Sequence, residues 1–271
     1  MKLVIGNYNY SSWSLRPWIL MRRAGIDFDE VRIPLATQEG ERMKAEWCPA
    51  GKVPVLYDGP LVLWDSLAIC EYVADKVADA ESGPTLWPRD VHRRAEARAM
   101  SAEMHSGFST LRRTMPMNCR RVVRGFEPDF DTRVDIDRLV DLFEVALSRS
   151  GSRSGSGHGS PGESASAPAD GSASAPADGS SGGSLPDRVG KADGPWLFGA
   201  YSVADAMFAP IASRFRTYGI SVPRATHAWI EATLGDAPMR EWYAAAEAEF
   251  EVIERSEVPD RDLPESGPSG G

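Results

Sequence analysis

Apolar residues come in short, tight groups over the first 80 positions and in longer helical stripes after them. Leu3-Val-Ile5 predicts a buried strand, and the apolar spacing from Trp13 to Ala24 predicts a helix closed by Gly25. Phe28 to Leu35 reads as a second strand. Thr37 to Pro49 is weakly patterned and fits a short helix. Val55-Leu-Tyr57 and Leu61-Val-Leu63 flank Asp58-Gly59, a strong hairpin signal. Ser66 to Val77 then reads as a helix capped by Asp65 or Ser66.

The order is thus a βαβ unit joined to a ββα unit. Connection rules leave few ways to arrange it other than the thioredoxin-like one. No strand pattern survives beyond Pro88. Arg89–Thr114 (closed by Pro116), Val134–Ser148, Ser202–Tyr218, Ala225–Leu234 and Met239–Ile253 all carry helical stripes. The expected fold class is therefore α/β plus all-α: a thioredoxin-like domain over 1–82, then an all-helical domain over 88–255. Residues 148–193 are poor in large apolar side chains and hold the tandem octads Ser164–Gly171 and Ser172–Gly179. Such a stretch cannot offset its ordering entropy by burial, so it reads as a disordered insertion between two helices, and 259–271 as a disordered tail.

Charge and composition narrow the function. A net charge of −9 and a pI near 5.1 disfavour nucleic acid and anionic membrane surfaces as partners. Cys48, Cys70 and Cys119 are far apart and odd in number, which leaves neither a disulfide framework nor a CxxC pair. The four histidines lack metal-ligand spacing, and no metal is expected. The chain opens directly on a strand without a leader, and no apolar run reaches membrane length; a cytoplasmic setting is expected.

Candidate chemistry sits in local motifs. Tyr10-Ser-Ser-Trp-Ser-Leu-Arg-Pro17 leads from the first strand into the first helix, where hydroxyls and the helix dipole can meet an anion; a plain serine cap is the simpler reading. Gly51-Lys-Val-Pro-Val55 puts a proline at a strand start. A cis Val53–Pro54 bond would turn the Val53 backbone towards an extended peptide, whereas an ordinary edge proline would do nothing further. Asp65-Ser66 offers a carboxylate and donors at another helix start. Ser202-Val-Ala-Asp205 is a capping-box variant with a folding role. Met104, His105, Phe108 and Arg112 share much of one face of the helix expected over 89–114. The nearby arginines could draw an acidic substrate or simply be solvated.

With these motifs in place the sequence resembles the glutathione transferase superfamily, most of all its serine-type, zeta-like bacterial members related to maleylacetoacetate isomerase. The resemblance covers about 1–147 and 194–255. Where the zeta motif reads Ser-Ser-Cys-x, this chain has Ser11-Ser12-Trp13-Ser14. The resemblance implies that Ser11 stabilises a glutathione thiolate with Ser12 close by. It also implies that Lys52, Val53 and Pro54 meet the cysteinyl backbone region, and that Asp65 and Ser66 hold the γ-glutamyl end. Trp13, Met104, His105, Phe108 and Arg112 would line the electrophile site. Glutathione as cosubstrate, a small electrophile and a homodimer follow from the same resemblance. Three functions stay open: conjugation, glutathione-dependent isomerisation of maleylacetoacetate, and glutathione binding without turnover.

Overall fold

The computed structural model describes residues 1–78, 85–151 and 194–261. Its first half runs β1 (Lys2–Ile5), α1 (Ser12–Arg23), β2 (Asp29–Arg32), α2 (Gln38–Trp47), β3 (Val55–Asp58), β4 (Leu61–Trp64) and α3 (Ser66–Ala78). The sheet order is β2-β1-β3-β4, with β1 parallel to β2 and antiparallel to β3. Alternation along β1 explains its central place. Leu3 and Ile5 face the main core with α1 and α3, while Val4 packs with Ile33, Cys48 and Val55 on the other side. This is the thioredoxin-like arrangement expected from the hydrophobic pattern.

The second half is helical: α4 (Val91–Ser106), α5 (Ser109–Thr114), α6 (Phe130–Gly151), α7 (Val203–Tyr218), α8 (Arg224–Gly235) and α9 (Ala237–Ala248). Helix α7 is buried along nearly its whole length and packs on both α1 and α4, so it joins the two halves. Its start is fixed by Asp205. That buried carboxylate accepts from the Ser202 N–H and hydroxyl, the Leu197 N–H and the Trp229 indole. A second junction is aromatic. Trp18 of α1 meets Trp242 of α9 edge-to-face at 5.1 Å, and the Trp242 indole donates to the Tyr8 carbonyl.

Three expectations need correction. The stretch 89–114 is two helices, because Gly107 ends α4 and Phe108 takes a left-handed conformation (φ 57°) to bury its ring. A Cβ on Gly107 would lie 2.9 Å from the Glu103 carbonyl oxygen, so the break needs glycine. The last helix ends at Ala248 rather than Ile253. From Glu249 onward the chain becomes a strap crossing back to the N-terminal half. It is anchored where Glu249 accepts from the Tyr8 and Asn9 amides and from Arg32. Finally, α6 continues to Gly151 and so takes in 148–151, while Arg261 still donates its N–H to the Arg124 carbonyl. The rest of the expected insertion and tail, 152–193 and 262–271, lies outside the described residues.

Candidate functional site

A cleft of about 790 Å³ opens between the N-terminal half and the helical half. Ser11 reaches it as the N-cap of α1, with its Oγ donating to Ser14 Oγ at 2.8 Å. Ser14 in turn accepts the Gly6 N–H at 3.0 Å, which ties the hydroxyl pair to the end of β1. The approach is close: a Cβ on Gly6 would stand 3.1 Å from the Ser11 Cβ and 2.6 Å from Leu35 Cδ1. Ser12 behaves differently. It is buried, it does not line the cleft, and its Oγ accepts from Arg214 Nη2 at 3.2 Å across the domain junction. The expectation that Ser12 stands beside Ser11 at the reacting centre is corrected accordingly: helix geometry points successive side chains in different directions.

The other motifs meet Ser11 here. Lys52, Val53 and Pro54 line the wall opposite α1's start, and the Val53–Pro54 bond is cis. Asp65 and Ser66 close another side. Asp65 adopts φ 81°, a left-handed conformation that aspartate tolerates better than most residues. Its Oδ1 takes the Leu67 amide at 2.8 Å and the Ala68 amide at 3.4 Å, and its carbonyl takes the Ile69 amide. Asp65 is therefore the cap of α3. Ser66, the first residue of α3, also lines the cleft; its hydroxyl accepts from Arg16 Nη1 at 3.5 Å, and as a first-turn residue its N–H has no acceptor within the helix.

The expected electrophile residues divide. Trp13 and His105 line the cleft, their rings edge-to-face at 5.4 Å. Met104 and Phe108 are core residues instead: Met104 is offset by about 100° from His105 on the same helix, and Phe108 lies beyond the break at Gly107. Arg112 stands over the Trp13 ring at 5.2 Å and donates to the Met104 carbonyl. Arg16 also stacks on that ring, at 4.3 Å; it is fully buried, with Nε and Nη2 unpartnered. Burial, and then the charges of Arg214 and Arg112, push the Arg16 guanidinium down to about 9.

Motif reading missed several lining residues. Leu35 comes from the end of the expected second strand, Lys44 from the weakly patterned region, and Ile253, Arg255 and Ser256 from the strap. Only tertiary folding brings the strap here, so no local signal marked it. Cys48 caps the C-terminal end of α2 in a buried position and Cys70 is a core residue, with burial raising both thiols. Among the described residues no cluster of three or more histidine, cysteine or acidic side chains could hold a metal ion. Nor is any described helix long and apolar enough to cross a membrane.

Residues 10–76 match the family model for the glutathione S-transferase N-terminal domain. That span contains the Ser11, Lys52–Pro54 and Asp65–Ser66 motifs. A probable maleylacetoacetate isomerase of Caenorhabditis elegans is 30% identical over 147 residues, 54% of this chain and 66% of that protein. Glutathione S-transferase Z1 of Arabidopsis thaliana is 35% identical over 97 residues, 35% of this chain and 41% of the relative. The chain thus spans 66% and 41% of these relatives' own lengths. In fold it is similar to a Burkholderia glutathione transferase homologue solved with bound glutathione, at TM-score 0.54 and 19% identity, covering 91% of this chain and 97% of that one. The four-stranded sheet, the helical half behind it and the sequence matches agree, and the chain belongs to the glutathione S-transferase superfamily as a zeta-like member.

Proposed function

We propose that this protein is a glutathione transferase that activates the glutathione thiol through Ser11 for attack on a small electrophile. The observation that carries this reading is the convergence of Ser11, Lys52–Pro54 and Asp65–Ser66 on one cleft. The donor and acceptor layout suits the γ-glutamyl end of the peptide. Asp65 is an acceptor for its ammonium, and the Ser66 N–H and hydroxyl are donors for its carboxylate. Lys52 supplies a cation at the Val53 wall for the remaining carboxylate.

Thiol activation is within reach of one serine. Lowering a thiol from its free value of about 8.5 to about 6.5 needs roughly 2.7 kcal/mol. A hydrogen bond to a charged acceptor contributes roughly 1.5–3 kcal/mol, and a helix N-terminus adds roughly 0.3–1 kcal/mol. Ser11 would have to turn its proton from Ser14 to the sulfur, and Ser14 can then donate back to Ser11 Oγ across the same 2.8 Å.

The Caenorhabditis relative, named a probable maleylacetoacetate isomerase, favours a second reading in which the peptide is used catalytically and a cis-enone diacid is the substrate. Calorimetry with glutathione tests the site. Conjugation of an aromatic halide against isomerisation of a cis-enone diacid separates the two reactions, and tight binding with neither activity would overturn both in favour of a binding protein. A cytoplasmic homodimer completes the proposal, and sedimentation at micromolar concentration checks its assembly.

A further inference from the structure

His105 is the only side chain of helices α4 to α9 that lines the cleft among the described residues, and it does so across the domain boundary from Asp65. Its Nε2 lies 3.2 Å from Asp65 Oδ2. Since Oδ1 of that carboxylate is already held by the Leu67 and Ala68 amides, Asp65 is fixed at both oxygens, once by its own helix and once by the helical domain. The imidazole sits in the last turn of α4, just before the Gly107 break, and is backed by the Trp13 ring.

The charged groups facing His105 are Asp65 from the start of α3, Arg16 from α1 and Arg112 from α5. Burial, with the two arginines in support, holds the imidazole below its ordinary range against the pull of Asp65. Neutral His105 with its proton on Nε2 fits the surroundings, because Nδ1 is buried and no donor reaches it. In that tautomer the Nε2–H edge meets Asp65 Oδ2 at 3.2 Å without placing a positive charge beside the carboxylate.

We propose that His105 is a positioning residue for the ammonium receptor: neutral His105 holds Asp65 towards the cleft, and protonated His105 competes with a γ-glutamyl ammonium for the same carboxylate. This rests on the reading that Asp65 receives the ammonium of glutathione. Linkage sets the sign. If the bound ammonium disfavours the imidazolium, then protonation of His105 must weaken binding by the same factor. Affinity is therefore full when His105 is neutral and falls as pH drops below the imidazole's folded value, which lies under its ordinary value of about 6.5. The slope can reach about tenfold per pH unit, the limit for one linked proton. The carboxyls and amine of the peptide titrate outside that window, and S-methylglutathione removes the thiol, which the proposed activation by Ser11 would bring into it.

Calorimetry of S-methylglutathione binding between about pH 5 and pH 7.5 tests this on wild type and His105→Gln, whose amide can replace the neutral donor but cannot take a proton. Wild type should lose affinity in acid. His105→Gln should bind within roughly threefold of wild type at pH 7.5, the scale of one exchanged neutral hydrogen bond, and stay flat below it. The S-methylated analogue that also lacks the γ-glutamyl amine should show no acid loss on wild type. Independently of any variant, the NMR titration of His105 should move to lower pH when glutathione is added. A flat wild-type profile, an acid loss retained by His105→Gln, or an equal acid loss for the amine-free analogue would each overturn the proposal while leaving glutathione binding intact. No binding to wild type at pH 7.5 would overturn the underlying site assignment, and this inference with it.

Discussion

Glu249 anchors the strap, and its removal gives the sharpest prediction about how the cleft is built. Its carboxylate accepts the Tyr8 N–H at 2.8 Å, the Asn9 N–H at 2.9 Å and Arg32 Nη1 at 3.1 Å, with the side chain only 4% exposed. In Glu249→Ala both amides lose their acceptor. Asn9 is fully buried, so water cannot replace the lost bond there, and the full cost of an unsatisfied donor applies. Tyr8 is half-buried and recovers part of its loss. At roughly 1–3 kcal/mol per orphaned group, with little added for Arg32, the expected loss is about 3 kcal/mol. Arg32 contributes little because it keeps Glu251 at 2.7 Å and is itself partly exposed. Urea unfolding should show this as a lower midpoint at unchanged slope, a shift of about 1 M or more for a slope of roughly 2–3 kcal/mol per M. Glu103→Ala is the control. It removes the same charge from a bidentate pair with Arg138 that faces solvent, and should cost at most about 1 kcal/mol. A Glu249→Ala loss no larger than that of Glu103→Ala would refute the claim that the strap is bound through buried amides.

Three further outcomes follow from the same geometry. Ser11→Ala should raise the pKa of bound glutathione by about 2 units, towards its free value of about 8.5, with little change in affinity below about pH 6, where the thiol is protonated in both proteins; ultraviolet titration of the thiolate reads this directly, and an unmoved pKa would assign the work to backbone amides. Asp65→Ala should weaken glutathione roughly tenfold or more, the value of a charge-assisted contact, yet hardly weaken an analogue without the γ-glutamyl amine; equal loss for both would make Asp65 only the cap of α3. Asp205→Asn should destabilise by roughly 1–3 kcal/mol in thermal or urea unfolding. Its amide nitrogen must face donors on one side, either the Leu197 and Trp229 N–H groups or those of Ser202, and full stability would mean that Ser202 or water absorbs the mismatch.

Much of the site was legible because its parts are local. Ser11 is marked by a strand running into a helix, Asp65 by the start of an apolar helix, and Pro54 by its place at a strand start. Each signal depends on backbone groups within a few positions, which is the range over which caps and turns act. Ser12 and Ser11 could not be told apart in this way. Adjacent residues share the same local signal, and only the position of Arg214 on α7 decides which hydroxyl faces the cleft. Met104 lies before the break and is turned into the core by its offset of about 100° from His105, but Phe108 failed for a related reason. Helical spacing assumes an unbroken helix, and the glycine that breaks it does so through its fit against the Glu103 carbonyl.

The sequence by itself determined the two-part architecture. Hydrophobic periodicity is a property of neighbouring residues, and it changes from short strand-length groups to helical stripes at the end of the first domain. It also determined the superfamily, since the motifs carrying the resemblance lie within the segment 10–76. Tertiary structure alone decided the rest: that residues 249–261 cross back over the first domain, that Arg255 and Ser256 reach a cleft begun at Tyr10, and that His105 meets Asp65. These pairings join positions tens to hundreds of residues apart. They are set by packing of whole elements, chiefly α7 against α1 and Trp242 against Trp18, and no window along the chain contains both partners.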